Sequence, residues 1–305
     1  MPAPNPILVV GSANTDMVIK ADKFPLPGET ILGGKFFMFP GGKGANQAVA
    51  ASRLGGNVTF IAKVGNDIFG KQALQQFRKE GIRTDYILSD AEHPSGVALI
   101  TVDSKGENTI VVAQGSNGTL SPDDLQKAEK EFEQFEILLM QLEIPLQTVL
   151  HAAKLAKRHG KKVILNPAPA MPLPPELFSN LYIITPNKSE TEALTGLEIK
   201  DMPSIKRAAE KIKEKGVAHV VITLGAEGAY IFNENGGRHI AAPTVQAVDS
   251  TAAGDVFNGA LAVAISEGKG LDQAVEFANR AAALSVTKMG AQASAPFRNE
   301  LTSML

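Results

Sequence analysis

Short apolar runs that alternate with segments of helical periodicity constrain this chain more than any other feature of its sequence. Ile7-Leu-Val-Val10 ends in Gly11, and similar runs stand at Val58–Ala62, Ile137–Leu142, Val163–Leu165, Tyr182–Ile184 and Val220–Thr223. Runs this short and largely apolar suit strands covered on both faces. Helical spacing fills most intervals, at Ala45–Leu54, Phe69–Lys79, Pro122–Glu133, Leu146–His159 and Ile205–Lys215. Strand and helix in alternation predict an α/β fold, a doubly wound and mainly parallel sheet flanked by helices. The 305 residues suffice for a full hydrophobic core. With no internal repeat or low-complexity linker, the chain reads as a single domain over 1–305. The last third, Ala252–Ala264 and Leu271–Val286, is rich in Ala and Gly at helical spacing, which predicts two closely packed helices.

Two stretches break the alternation. Asp16–Ala21 and Thr30–Phe39 lie around the turn Pro25-Leu-Pro-Gly28, while Gly96–Asp103 and Asn108–Ala113 flank Ser104-Lys-Gly106. All four are strand-like and none has a partner helix. Phe36-Phe-Met-Phe39 and Ala98-Leu-Ile100 place apolar groups on both faces, so the small sheet is expected to be buried on both sides. It reads as a β-sheet lid formed by about residues 14–40 and 95–113, inserted in the core, covering a site and pairing two copies of the chain as a homodimer. A β-meander appended to the core is the plainer alternative.

Composition narrows the chemistry. There is no Cys, which removes disulfides, thiolate chemistry, zinc ribbons and iron–sulfur clusters and favours a reducing compartment. Thirty basic against 32 acidic residues, a net charge of −2, lack the clustered positive field that a nucleic acid or an anionic membrane needs. No apolar run approaches the roughly 20 residues that span a bilayer. The start, Met1-Pro-Ala-Pro-Asn-Pro6, has neither a charged n-region nor an apolar h-region. A soluble, cytoplasmic protein acting on a small molecule is expected. The five histidines, at 93, 151, 159, 219 and 239, occupy no metal-binding spacing, and no G-x-S-x-G elbow occurs.

The strongest local signal is Asp249-Ser-Thr-Ala-Ala-Gly-Asp255, approached by Val245–Val248 as a strand or extended segment. Ala252, Ala253 and Gly254 are small enough for a ligand to touch the backbone, and Asp255 falls in the first turn of an Ala-rich helix. Unpaired N–H groups there suit an anion such as a phosphoryl group. Asp255 is then placed to take a proton from an attacking alcohol, or else serves only as a dipole-matching residue. A second signal, Gly41-Gly-Lys-Gly-Ala-Asn46, precedes a helix. It is neither a Walker A loop nor a dinucleotide fingerprint, because residue order and glycine spacing differ. Asn14-Thr-Asp16, Glu143 and Asn187-Lys-Ser-Glu190 follow three different strands and would converge on one crevice, or act separately as caps and turns. Thr223-Leu-Gly-Ala-Glu-Gly228 offers two glycines for a nucleotide or for a plain strand-to-strand turn.

With these motifs in this order, from about residue 7 to 297, the sequence resembles the ribokinase-like (PfkB) sugar kinases. The resemblance implies ATP-dependent phosphorylation of a sugar alcohol, with the C5 hydroxyl of D-ribose as acceptor, on a doubly wound core with a lid. It implies Asp255 as base, with the backbone N–H groups of Ala252, Ala253 and Gly254 as the anion hole for the γ-phosphoryl group. Asn14, Asp16, Gly42, Lys43, Asn46 and Glu143 would surround the sugar hydroxyls. Asn187, Thr223, Gly225, Gly228 and Asn279 would contact ATP, with Glu190 acting on the Mg²⁺–phosphate end through water. A monovalent-cation (K⁺) site would draw on Asp249 and Thr251, with Ser285, Lys288, Gly290 and Ser294 supplying mainly backbone carbonyls. Two positions depart from the commonest family form: Ser250 stands where Thr is usual, and Asn279 where several relatives have His. A 2-deoxyribose kinase is the nearest rival within the class; adenosine and fructose-phosphate kinases fit less well, and a non-catalytic sugar or nucleotide sensor would have no need of Asp255 and Glu190.

Overall fold

A computed structural model describes residues 5–302; residues 1–4, on which the reading of the start falls, and residues 303–305 lie outside them. In chain order the strands are β1 (Pro6–Val10), β2 (Asn14–Lys20), β3 (Lys35–Gly41), β4 (Asn57–Gly65), β5 (Ile87–Asp90), β6 (Gly96–Val102) and β7 (Asn108–Ala113). There follow β8 (Ile137–Met140), β9 (Lys162–Leu165), β10 (Ile183–Ile184), β11 (His219–Thr223), β12 (Ala229–Asn233) and β13 (Gly236–Ile240). The helices are α1 (Lys43–Arg53), α2 (Ile68–Lys79), α3 (Pro122–Gln126), α4 (Glu131–Gln134), α5 (Leu146–Arg158) and α6 (Pro175–Phe178). The last five are α7 (Lys188–Thr195), α8 (Met202–Lys213), α9 (Ala253–Ser266), α10 (Leu271–Ser285) and α11 (Arg298–Thr302).

Nine strands form one sheet in the order β13-β12-β11-β10-β9-β8-β1-β4-β5, parallel except where β12 and β13 run antiparallel at one edge. β1 lies in the interior, with Ile7 opposite Val58 on one side and Ile137 on the other. Its residues divide between two cores by strand alternation. Ile7 and Val9 pack with α1, α9 and α10 through Ala48, Val49, Leu261 and Ala278, while Leu8 and Val10 pack with α5 and α8 through Ala152, Ala153 and Ile205. This is the expected doubly wound arrangement, with helices on both faces. The two Ala-rich C-terminal helices, α9 and α10, pack against each other as their spacing predicts.

Two expectations need correction, and three strands escape the sequence reading. The segment Pro122–Glu133 is two short helices, because Ala128, Glu129 and Glu131 N–H groups bond three residues back rather than four and break the α ladder. Residues 245–248 form no strand, which leaves the extended alternative. β5, β12 and β13 carry too mixed a pattern for sequence periodicity to find them: β13 reads Gly-Gly-Arg-His-Ile and is an edge strand. The small sheet, order β3-β2-β6-β7, exists as four strands, but it is not buried on both sides. Phe36, Met38, Leu99 and Val111 are exposed on one face and Phe37, Phe39, Ile110 and Val112 on the other. Among the described residues of one copy, none covers either apolar face fully.

Candidate active site

The site is built where β1 ends. Segment Gly11–Asn14 leaves the sheet and meets the glycine-rich turn so closely that side chains are excluded. A Cβ on Gly44 would lie 2.5 Å from the Ser12 amide nitrogen, and one on Gly41 would lie 2.3 Å from the Asp16 carboxyl. These glycines therefore serve contact with this chain's own backbone and with Asp16. Glu143, just beyond β8, clamps the same turn: its Oε2 accepts from the Lys43 N–H at 2.9 Å and from the Ser12 hydroxyl. Asn14 is held from the other side, its Oδ1 accepting from Asn117 Nδ2 at 2.7 Å. Gly42 ends the turn as the N-cap of α1, which carries Lys43, Asn46 and Gln47 in its first turns.

At the start of α9 the backbone is strained. Ala252 has φ 59° and ψ 13°, and among the described residues it is the one non-glycine with positive φ. Such a conformation costs energy and tends to persist where function requires it. No side chain caps the helix. The Ala253 N–H donates to the Ser250 carbonyl at 3.2 Å, so the place expected for it in an anion hole is partly taken by the chain itself. Gly254 is open: a Cβ there would meet nothing within 4 Å. Asp255 is 6% exposed. Its Oδ2 accepts from Asn46 Nδ2 at 3.0 Å and its Oδ1 from Gln47 Nε2 at 2.9 Å.

Five charged groups act on one another here. Burial raises the Asp255 pKa above the ordinary carboxylate value, against the pull of Lys43 and the two amides. Asp16 is pushed up to about 6 by burial and by the carboxylates of Glu143 and Asp255. Burial works against charge on Lys43, yet Asp255, Glu143, Glu190 and Asp16 together hold its pKa above the ordinary lysine value. Glu190 is raised by burial. The structure thus brings Asp16, Lys43, Asn46, Glu143, Glu190 and Asp255 to one crevice at the carboxyl ends of the strands, where open α/β sheets bind ligands.

The residues expected around a nucleotide are each engaged in local structure. Asn187 and Glu190 form a reciprocal capping box on α7: Asn187 Oδ1 accepts from the Glu190 N–H at 2.8 Å, and Glu190 Oε2 from the Asn187 N–H at 2.9 Å. Thr223 bridges to Asn187 as a parallel neighbour, which sets the Gly225–Gly228 turn beside the start of α7. That turn joins β11 to antiparallel β12, so it is a strand-to-strand turn as well as a wall beside Asn187. Asn279 donates from Nδ2 to the Ile240 carbonyl at 2.9 Å, fixing the chain after β13.

Asp249 joins two loops. Its Oδ1 accepts from the Thr251 N–H at 2.9 Å and its Oδ2 from the Gly290 N–H at 2.8 Å, while the Val248 N–H donates to the Val286 carbonyl at 2.7 Å. Although burial opposes its charge, these donors hold the Asp249 pKa below the usual range. Ser285 and Ser294 spend their hydroxyls on the carbonyls of Ala282 and Ala291, and Lys288 pairs with Glu300.

Sequence reasoning missed Gln47, Gln141, Asn166, Asn117 and Ser12. Gln141 and Asn166 immediately follow β8 and β9, and the rule that polar residues beyond parallel strands face the crevice could have found them. Asn117, in the 3₁₀ turn Gly115–Thr119, carries no such signal.

A doubly wound sheet with a buried carboxylate at an uncapped, strained helix start is the architecture of a phosphotransferase, and comparison with known proteins agrees. The family described as "pfkB family carbohydrate kinase" matches residues 5–298. Ribokinase of Haemophilus influenzae is 47% identical over 299 residues, covering 98% of each chain. Deoxyribokinase of Salmonella typhi is 36% identical over 291 residues, covering 95% of each. The structure of Arabidopsis thaliana ribokinase complexed with ribose and ATP superposes with a TM-score of 0.92 at 33% identity, covering 99% of this chain and 98% of that one. The chain belongs to the pfkB family of carbohydrate kinases.

Proposed function

We propose that this kinase transfers the γ-phosphoryl group of ATP to the C5 hydroxyl of D-ribose, giving D-ribose 5-phosphate and ADP. The observation that carries this is the Asp255 carboxylate, buried beside the uncapped start of α9 and held by Asn46 and Gln47. Asp255 takes the proton as the C5 oxygen forms its bond to phosphorus, and the bond from phosphorus to the bridging oxygen breaks in line to release ADP. The backbone N–H groups of Ala252, Ala253 and Gly254, that of Ala253 shared with the Ser250 carbonyl and Gly254 presenting no side chain, meet the charge on the transferring group. Asn14, Asp16, Gly42, Lys43, Asn46 and Glu143 bind the sugar. Asn46 Oδ1 supports this, being buried without a hydrogen bond to any described residue, so that a sugar hydroxyl would satisfy it. A panel of pentoses, hexoses and nucleosides with ATP, followed by ADP release, tests the assignment, and turnover centred on another acceptor would overturn it. The resemblance to deoxyribokinase makes 2-deoxyribose the informative competitor: kcat/KM favouring it over ribose would change the substrate.

Asn187, Thr223, Gly225, Gly228 and Asn279 line the nucleotide in this proposal. Both Glu190 oxygens already accept from Asn187, and no cluster of three or more His, Cys, Asp or Glu able to hold a metal exists among the described residues. This donor set fits a Mg²⁺ held by nucleotide phosphates and water, with Glu190 reaching it through water. An ionised Asp249 among the carbonyls of the 249–251 and 285–294 loops fits a K⁺ ion, which would screen charge beside the anion hole. Replacing K⁺ by Na⁺ at constant ionic strength is expected to lower activity; equal rates would remove that site.

The small sheet, residues about 14–40 and 95–113, serves as a lid within one domain spanning 1–305, and pairs two copies through its exposed apolar faces. A monomer by light scattering at micromolar concentration would refute the pairing. A cytoplasmic setting completes the proposal, and cell fractionation tests it.

Asp16 gives a pH signature. The ionised carboxylate accepts hydrogen bonds from sugar hydroxyls, and its pKa of about 6 means protonation sets in just below neutrality. KM for the sugar is expected to rise as pH falls, by roughly tenfold between pH 7.5 and 5. The Asp16→Asn variant, with nothing to titrate, is expected to lose this dependence while showing a raised KM throughout.

A further inference from the structure

Gln47 is fully buried at the second turn of α1, and its amide does more than fill space. Nε2 donates both its hydrogens, to Asp255 Oδ1 at 2.9 Å and to Asn166 Oδ1 at 3.1 Å. Oε1 accepts from Gln141 Nε2 at 2.6 Å. The Asp255 carboxylate, which when ionised can only accept, decides the amide's sense, and Gln141 agrees with it. Turned over, Gln47 would set its oxygen against the Asp255 carboxylate and its NH₂ against the NH₂ of Gln141, two repulsive contacts in place of three hydrogen bonds. The chain of amides continues. Asn166 Nδ2 donates to the Thr185 carbonyl, the Thr185 hydroxyl bonds Asn258 Oδ1 at 2.6 Å, and Asn258 Nδ2 donates to the Gly254 carbonyl at 2.8 Å. A ring of buried hydrogen bonds thus closes around the first turn of α9, from the Asp255 side chain to the peptide of Gly254.

We propose that Gln47 is a positioning residue for phosphoryl transfer: its amide, locked by Gln141, fixes the Asp255 carboxylate in its ionised, proton-accepting form and couples it through Asn166, Thr185 and Asn258 to the backbone at Gly254. The inference rests on Asp255 being the base. Gln47 is suited to the task because it is neutral. An Arg or Lys in its place would form an ion pair that depresses basicity strongly, whereas an amide donor stabilises the ionised form and leaves the carboxylate basic. The charged groups acting on Asp255 are Lys43 on α1, Glu143 beyond β8, Asp16 on β2 and Glu190 on α7, and no residue of the amide ring adds to them.

Gln47→Met keeps the length and removes the donor. The acid limb of the kcat–pH profile is expected to move up by about one unit, so that kcat falls by about tenfold well below the limb and returns to the parent value well above it, with KM for ribose and ATP within about twofold of the parent. A merely structural role would lower kcat equally at every pH or raise KM, and either result, or no change at all, overturns the proposal. Gln141→Met guards against a folding defect. It removes the partner of Gln47 Oε1 without adding charge and frees that amide to turn; the limb is expected to move the same way by a smaller amount. Asp255→Asn, run alongside, separates the two levels. If it retains turnover, the base assignment falls; if it is inactive while both glutamine variants leave the limb in place, only the role of Gln47 falls.

Discussion

Asp255→Asn is expected to lower kcat by roughly 10²–10⁴, the range for loss of a general base, with KM for both substrates little changed. Asn preserves the shape of the side chain and can still occupy the space between Asn46 and Gln47, so the fold is expected to survive. What it loses is proton affinity. It also turns an NH₂ toward one of two amide donors that previously met carboxylate oxygens at 3.0 and 2.9 Å, which costs some stability. Single-turnover measurement of ADP formation separates the chemical step from product release. Turnover within a few-fold of the parent would remove Asp255 from the chemistry and leave it a residue of the helix start.

Gly254→Ala is the second large effect and works by a different route. The added Cβ meets nothing within 4 Å in the protein, so thermal stability is expected to stay the same, or to rise slightly because Ala suits a helix better than Gly. The methyl would stand where the proposed phosphoryl group meets the helix start. A fall in kcat of about 10²-fold is expected, the order seen when one anion-hole contact is lost. Gly44→Ala is the control. Its Cβ would sit 2.5 Å from the Ser12 nitrogen and 2.7 Å from the Gly11 Cα, so backbone must move, and a loss of about 3 kcal/mol or more is expected. Gly254→Ala should therefore lose kcat with its melting curve intact, whereas Gly44→Ala should melt early. If Gly254→Ala melts early while keeping its activity, the open space before α9 has no part in catalysis.

Both substitutions show why two glycine-containing motifs that look alike in sequence differ in meaning. In Gly41-Gly-Lys-Gly44 the small residues allow the turn to lie against Gly11–Asn14 and Asp16. In Ala252-Ala-Gly254 they leave room that the protein does not use. From the sequence, ligand access to backbone is read only at Ala252–Gly254, and the glycines of Gly41–Asn46 leave open what comes close, since a glycine records only that something does. Which partner comes close depends on packing.

The large sheet was legible because β1, β4, β8, β9 and β11 are covered on both faces, and dense apolar runs follow directly from that. The antiparallel edge was not, since β13 needs only one buried face and mixes Gly, Arg and His. The four strands of the small sheet were found along the chain, though β3 begins at Lys35 and not at Thr30; their burial was inferred from apolar content, and exposure depends on what lies opposite. Asp16, Glu143 and Glu190 could be gathered to one crevice because each follows a strand of a parallel sheet, and such ends share one edge.

Local rules are thus fully contained in the sequence. The Asn187–Glu190 capping box spans four residues, and the small-residue start of α9 is contiguous, so spacing alone specifies both. The state of the base is different. Gln47 lies 208 positions from Asp255 and 119 from Asn166, and their hydrogen bonds exist only because strand order and register bring α1, the end of β9 and the start of α9 together. Hydrogen bonds act over about 3 Å and demand direction. No pattern of residue types along the chain can therefore determine them; the packed sheet and helices do.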